Sequence, residues 1–301
     1  MKKYTHYAAA LLAASSLNSE IFASNIGSLS TAQIQGIAAS QFASFTTKQS
    51  LALTSSQLKV LSSAQIASMP VSLGATQIGY LPSSAMAGFS SANATLLTTA
   101  NVGGLTSLNA AGLDATLFST KASDSSSVLG SAVIAAIPSG AVAGFTTTQL
   151  GSIAGSATTQ WALGLSANIA GFNTNNASAI PSGVLTQLTS AQVGQFTSNG
   201  ISGLIAAQMT QFVPSVIANG LTTKNVLGLN SVNISGITAA ELGSMKAATV
   251  QAIPSAALQG IGIATLDASA ATTFVDNLGT NIQGLTIDQL NALTSSSLVV
   301  L

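Results

Sequence analysis

The chain has 301 residues, of which 47% are hydrophobic and only 5% charged, and its seven basic and seven acidic side chains leave a formal net charge of +0 at pH 7. An ordinary soluble protein is roughly a quarter charged. Cysteine and arginine are absent and the single histidine is His6, which excludes disulfide scaffolds, thiol chemistry and the basic patches that hold nucleic-acid phosphates.

Residues 1–23 read as a secretory signal peptide. Lys2 and Lys3 precede the apolar run from Ala8 to Ala14, and Ile21-Phe22-Ala23 closes on a small residue, with cleavage expected after Ala23. The apolar run is well short of the roughly 20 residues that a bilayer-spanning helix needs. Export across the inner membrane, to a secreted or cell-surface location, is the expectation. His6 lies inside this segment, so the rest of the chain has neither His nor Cys for a conventional triad or zinc site.

From Phe22 onward the chain is written in eights. A grid of 34 octapeptides reaches the last residue, stepping over Pro70 to Leu73, Ala162 to Gly164, and Leu221; residues 24–301 are read as one repeat solenoid with register breaks at 70–73, 162–164 and 221. Slot five is Val, Ile, Leu, Met or Phe in 28 blocks, and slot eight is one of these or Trp in 30. Slot four is Gln or Asn in 19, slot seven Gly, Ala or Ser in 22, and slot one Ser, Thr, Asn or Asp in half. Thr46 with Gln49, Thr54 with Gln57 and Thr146 with Gln149 are capping boxes, in which each side chain satisfies a backbone amide at a helix start. Slots five and eight, three apart, share one face of that turn. Small residues at slot seven suit a helix terminus or a close backbone approach. Proline enters at slot one, as Pro82, Pro138, Pro181 and Pro254, where a helix start tolerates it.

An eight-residue period drifts by roughly 80° per block on a continuous helix, which rules out one long coiled coil. The expected fold is therefore all-α, a solenoid of very short capped helices with about one turn per repeat. A β-solenoid is the alternative, and the caps and the Ala and Gln content argue against it.

The pattern L-[ST]-x-x-Q-[ILV], as in Leu29-Ser30-Thr31-Ala32-Gln33-Ile34 and Leu285-Thr286-Ile287-Asp288-Gln289-Leu290, resembles the octapeptide repeats of exported and surface proteins of Gram-negative bacteria. That resemblance implies a repeat architecture and a surface location, and no particular activity.

Later blocks are uneven. In 114–129, Lys121 and Ser126 occupy apolar slots and Asp124-Ser125-Ser126-Ser127 reads as loop, so this is an expected weak point; Ser269 and Asn277 mark a second. Residues 125–223, 99 in all, contain no Asp, Glu, Lys, Arg or His. Soluble monomers normally keep charge to repel one another, so this stretch points to a surface that packs against its own copies or lies in a matrix. Val128 to Phe145 is apolar over a spanning length, but Pro138 and the intact grid make it ordinary repeat. Trp161, at slot eight, reads as a core-filling aromatic rather than a sugar platform. An acid pair such as Asp267 with Asp276 could in principle serve as glycosidase carboxylates, and isolated solvated charges are the better reading. No catalytic, cofactor-binding or metal-ligating residue is assigned.

The function expected is a non-enzymatic structural or adhesive repeat protein of the bacterial exterior, with a monomeric glycan- or ice-binding module as the alternative. The final block, Thr294 to Leu301, carries four apolar residues with no polar cap, and the first block, from Phe22 to Leu29, has none either. A stack with such ends is expected to join copies end to end into homo-oligomers, with a surface or glycan ligand as a second partner and no nucleic acid.

Overall fold

The computed structural model describes residues 26–262 and 268–292. The expected signal peptide 1–23 and final block 294–301 lie outside the described residues, as does Asp267. The described chain is all-α: short α-helical and 3-10 turns follow one another from Ile26–Ser28 to Ile287–Ala292, and no strand occurs among them. The β-solenoid alternative is thereby set aside. No helix among the described residues is long and apolar enough to cross a membrane.

The capping boxes form where the sequence expects them. The side chains of Ser30, Thr46, Thr54, Ser62, Thr146 and Thr189 accept the backbone N–H three residues on, and the Gln at that position returns its Oε1 to the N-cap N–H. Pro82, Pro138 and Pro181 stand at the N-cap itself, where no amide is needed for the helix. Slot five then turns inward: Ile34, Phe42, Leu58, Ile66, Ile78, Met86, Ile134 and Val142 are all fully buried. Slot eight joins it, with Ile37, Phe45, Leu61, Leu81 and Phe89 also in the core. One continuous apolar interior results, running the length of the stack.

The slot-four amide has a second role that capping alone does not require. Gln57 accepts the Thr54 N–H at 2.8 Å with Oε1 and donates through Nε2 to the carbonyls of Ile26 at 2.8 Å and Leu29 at 2.7 Å. Gln65 repeats this on Ile34 and Ile37, Gln208 on Ala177 and Ile180, and Gln289 on Leu258 and Ile261. The acceptors lie 28 and 31 residues back, at slots eight and five of the block before the one the turn stacks on; Thr31–Gly36 packs on Ser55–Leu58 and Ala39–Phe42 on Ser63–Ala67, so one coil of the solenoid takes three octapeptides. Gln57, Gln65 and Gln208 are buried with their bonds made, as buried amides must be.

Gln and Asn at slot four build different turns. All ten described Gln blocks start an α-helical turn, whereas seven of the eight described Asn blocks give a 3-10 turn, for example Val102–Gly104, Val226–Gly228 and Asn233–Gly236. Asn reaches the same N-cap amide with one methylene fewer, as in Thr98 N–H to Asn101 Oδ1 at 2.8 Å, and the backbone draws in around it except at Asn109, which makes the same bond from an α-helical turn. Its Nδ2 still reaches a carbonyl of the coil before, as Asn109 does on Ile78 and Asn225 on Val193.

Slot seven sets how closely coils approach. A Cβ on Gly112 would stand 1.9 Å from the Ser83 carbonyl oxygen, and one on Gly228 would stand 2.0 Å from that of Ser198. Both oxygens belong to slot two of a block in the preceding coil. Glycine is required there by contact with backbone that cannot move aside.

The register breaks are absorbed without opening the core. Residues 70–73 form a short side of their coil, so Gln77 finds its acceptors Ser50, Leu51 and Leu53 only 24 to 27 residues back. The three extra residues at the second break lengthen one helix, Ser156–Gly164, which follows Gly155 at φ 54°. Leu221 follows another, Pro214–Gly220, as its C-cap, and is itself buried. Near the second weak point, the helix Ala268–Leu278 runs through the block boundary, and Leu278, not the slot-eight Asn277, is buried.

Two outcomes follow from the amide and glycine geometry. Gln65→Glu keeps the capping acceptor but loses both donated bonds, leaving two carbonyls facing a carboxylate, and thermal or urea unfolding should show a loss of at least about 1–3 kcal/mol. Glu241, a buried acid in slot four that accepts from Thr238, should respond oppositely, Glu241→Gln raising stability. Gly112→Ala should destabilise, while Gly103→Ala, where a Cβ meets nothing within 4 Å, should leave the midpoint unchanged or slightly raised.

Candidate functional site

The outward side chains come from slots one to three and six, and in 125–223 they are Ser, Thr, Asn, Gln, Ala or apolar residues, never charged. Three successive coils of this stretch form a groove of about 350 Å³, walled by Ser139, Gly140 and Ala143, by Gly171 and Asn173, and by Thr197 to Asn199. Its depth comes from missing side chains. Gly171 lies against the Ser139 carbonyl, 2.0 Å from where a Cβ would be, and above Gly140 there is open space.

Polar groups in the groove divide into two sets. Asn173 is committed: its Nδ2 donates to the Ala143 carbonyl at 3.2 Å and its Oδ1 accepts the Asn175 N–H at 2.8 Å. Thr197 is committed too, accepting the Gly200 N–H at 3.1 Å. The hydroxyls of Ser139 and Ser198 and the exposed Asn199 amide make no side-chain hydrogen bond to the described residues. Such a lining offers neutral donors and acceptors and no group that could ionise.

The second feature is an excursion from the stack. Between the blocks of Asn109 and Gln149 the coil is longer, for Gln149 reaches Ala110 and Leu113 at 39 and 36 residues. The surplus leaves as a hairpin over 119–128, where the Val128 N–H donates to Ser119 O at 3.0 Å and a bridge pairs Thr120 with Ser127. At its tip Ser125 has φ 57°, and its carbonyl accepts the Ser156 hydroxyl. Asp124 accepts from both the N–H and the hydroxyl of Ser126, at 2.9 and 2.6 Å. These bonds, the hydroxyl's first, hold its carboxyl below the usual carboxylate range. Lys121 and Asp124 are exposed here, and no other charge lies between Asp114 and Lys224. The sequence placed a weak point at 114–129; the structure turns the middle of it out as this hairpin and keeps Leu117, Phe118 and Leu129 in the core.

Beneath the hairpin Trp161 stacks on Phe118 at 5.1 Å and meets Phe145 edge-on at 5.9 Å. It is 1% exposed, which settles it as core. Its Nε1 has no partner among the described residues, the same condition as the buried Ser50 hydroxyl in slot five. Asp276 is exposed, and among the described residues no three of His, Cys, Asp or Glu gather where a metal ion could sit. The groove residues Ser139, Ser198 and Asn199 were not singled out by sequence reasoning. They belong to separate coils, and only the coil length would have aligned them.

Compared with protein-family models, with curated proteins and with solved structures, the chain matches none of them.

Because the hairpin is exposed and held mainly by its own bonds, trypsin should cut after Lys121 before any other lysine, read by mass spectrometry of early fragments. Asp124→Ala should hasten that cut. The depressed carboxyl supports the tip fully above the ordinary unfolded carboxylate range and loses its effect as pH falls through its own lower value. The Ser126 amide resonance should therefore hold its position down through pH 5 and shift only in more acidic solution.

Proposed function

We propose that this chain is a non-enzymatic structural or adhesive repeat protein of the bacterial exterior, which assembles with its own copies. The observation that carries the reading is the pairing of a continuous amide-linked stack with a surface empty of charge over 125–223. A stack of this kind has no natural length limit, and a neutral surface does not repel a neighbouring copy. The apolar run 8–14 behind Lys2 and Lys3 supports export as the route to that location. Size-exclusion chromatography with light scattering over a hundredfold range of concentration tests the assembly. Mass should rise with concentration and respond little to salt, since there are few charges to screen.

The groove of Ser139, Ser198 and Asn199 favours a second reading, a monomeric module that binds a neutral glycan. A monodisperse monomer at every concentration, together with binding to a soluble oligosaccharide such as cellohexaose or maltoheptaose, would put that reading first. Gly140→Phe, which fills the groove from a position with open space, should then abolish the binding.

A further inference from the structure

From the second coil onward, most slot-four amides are spent on the coil before. The blocks 30–37 and 38–45, in the first described coil, carry the same residue with no such partner among the described residues. Gln33 accepts the Ser30 N–H at 2.8 Å, and Gln41 accepts the Ala38 N–H at 3.1 Å, so both are posed as in every other Gln block. Their Nε2 groups donate to nothing among the described residues; Gln33 is exposed and Gln41 half-buried, against buried Gln57 and Gln65 one coil on. Slot seven agrees. Gly88, Gly112, Gly144 and Gly171 are each pressed on a slot-two carbonyl of another coil, whereas a Cβ on Gly36 would meet nothing within 4 Å.

We infer that the face formed by Gln33, Gly36 and Gln41 is a docking surface for a coil of a second copy of this chain. The partner's chemistry is fixed by the internal interface, repeated along the stack: pairs of carbonyls at slots five and eight for each amide, and a slot-two carbonyl for the glycine. A second copy presents such a set. Ile282 and Leu285 stand in their block where Leu258 and Ile261 stand in theirs. The carbonyls of Leu258 and Ile261 take the Gln289 amide, while those of Ile282 and Leu285 receive no side-chain amide among the described residues. Docking would thus continue the coil-to-coil ladder across the boundary between two molecules, with the same hydrogen bonds and the same close glycine approach. A heterologous contact of this form propagates into a filament if it does not close.

This inference rests on the self-assembly proposed above, and two variants of the full chain separate their fates. Gly36→Trp places a bulky side chain in the space a partner coil would fill. The double variant Gln33→Glu, Gln41→Glu keeps the capping acceptors, as Glu241 does for Thr238, but removes both donors and sets carboxylates against carbonyls. Each variant should retain the wild-type helical circular dichroism, and each should raise the concentration for half-assembly in light scattering by more than tenfold. If the wild type assembles and the folded double variant assembles equally well, the face is overturned and self-assembly stands by another surface. A wild type that remains a monomer at every concentration overturns both. Should Gly36→Trp fail to fold, the double variant decides alone.

Discussion

A primary amide that accepts at one end and donates at the other underlies the whole molecule. Its oxygen completes the capping box of its own turn, and its nitrogen holds carbonyls of the coil before. A carboxylate could do the first and not the second, since it has no N–H to give. That difference accounts for Gln or Asn in 19 of the 34 blocks, with acid in slot four only at Glu241. Turns this short would not persist alone. They persist because each is fixed to its neighbours through the amide and through the buried residues of slots five and eight.

The same linkage explains why the chain can be so poor in charge. Ion pairs at a surface contribute little, and here the polar work between coils is done by neutral groups in a buried setting, where each satisfied amide matters more. Outward slots are left without a structural duty beyond capping, and Ser, Thr and Asn fill them. A surface of that composition can lie against a copy of itself or against a hydroxyl-rich ligand without leaving an uncompensated charge. The groove at Gly140 and Gly171, and the amides of Gln33 and Gln41 that meet no carbonyl among the described residues, are the places on which the proposals above rest.

Irregularity is handled according to where the surplus residues fall. Four residues at 70–73 shorten one side of a coil, the three at 162–164 extend a helix, and the weak stretch 119–128 is expelled as a hairpin. In each case the buried column of slots five and eight continues. Expulsion is the outcome where Lys121 and Ser126 would otherwise have to enter the core, since burying an unpaired ammonium costs far more than forming a loop.

The sequence alone determined the period, the helix starts, the inward slots, the absence of thiol and histidine chemistry beyond residue 6, and the weak block at 114–129. All of these are local: a capping box spans three residues, and an apolar face is legible within one turn. Tertiary structure decided what lies 28 to 31 residues away. The second bond of each amide, the carbonyl against each slot-seven glycine and the alignment of Ser139 with Gly171 and Asn199 depend on how many blocks close one coil. That number is set by the angle between successive turns and by the packing of Ile, Leu and Phe in the interior. Residue identities repeated every eight positions are the same for any such angle, so the period could not reveal it.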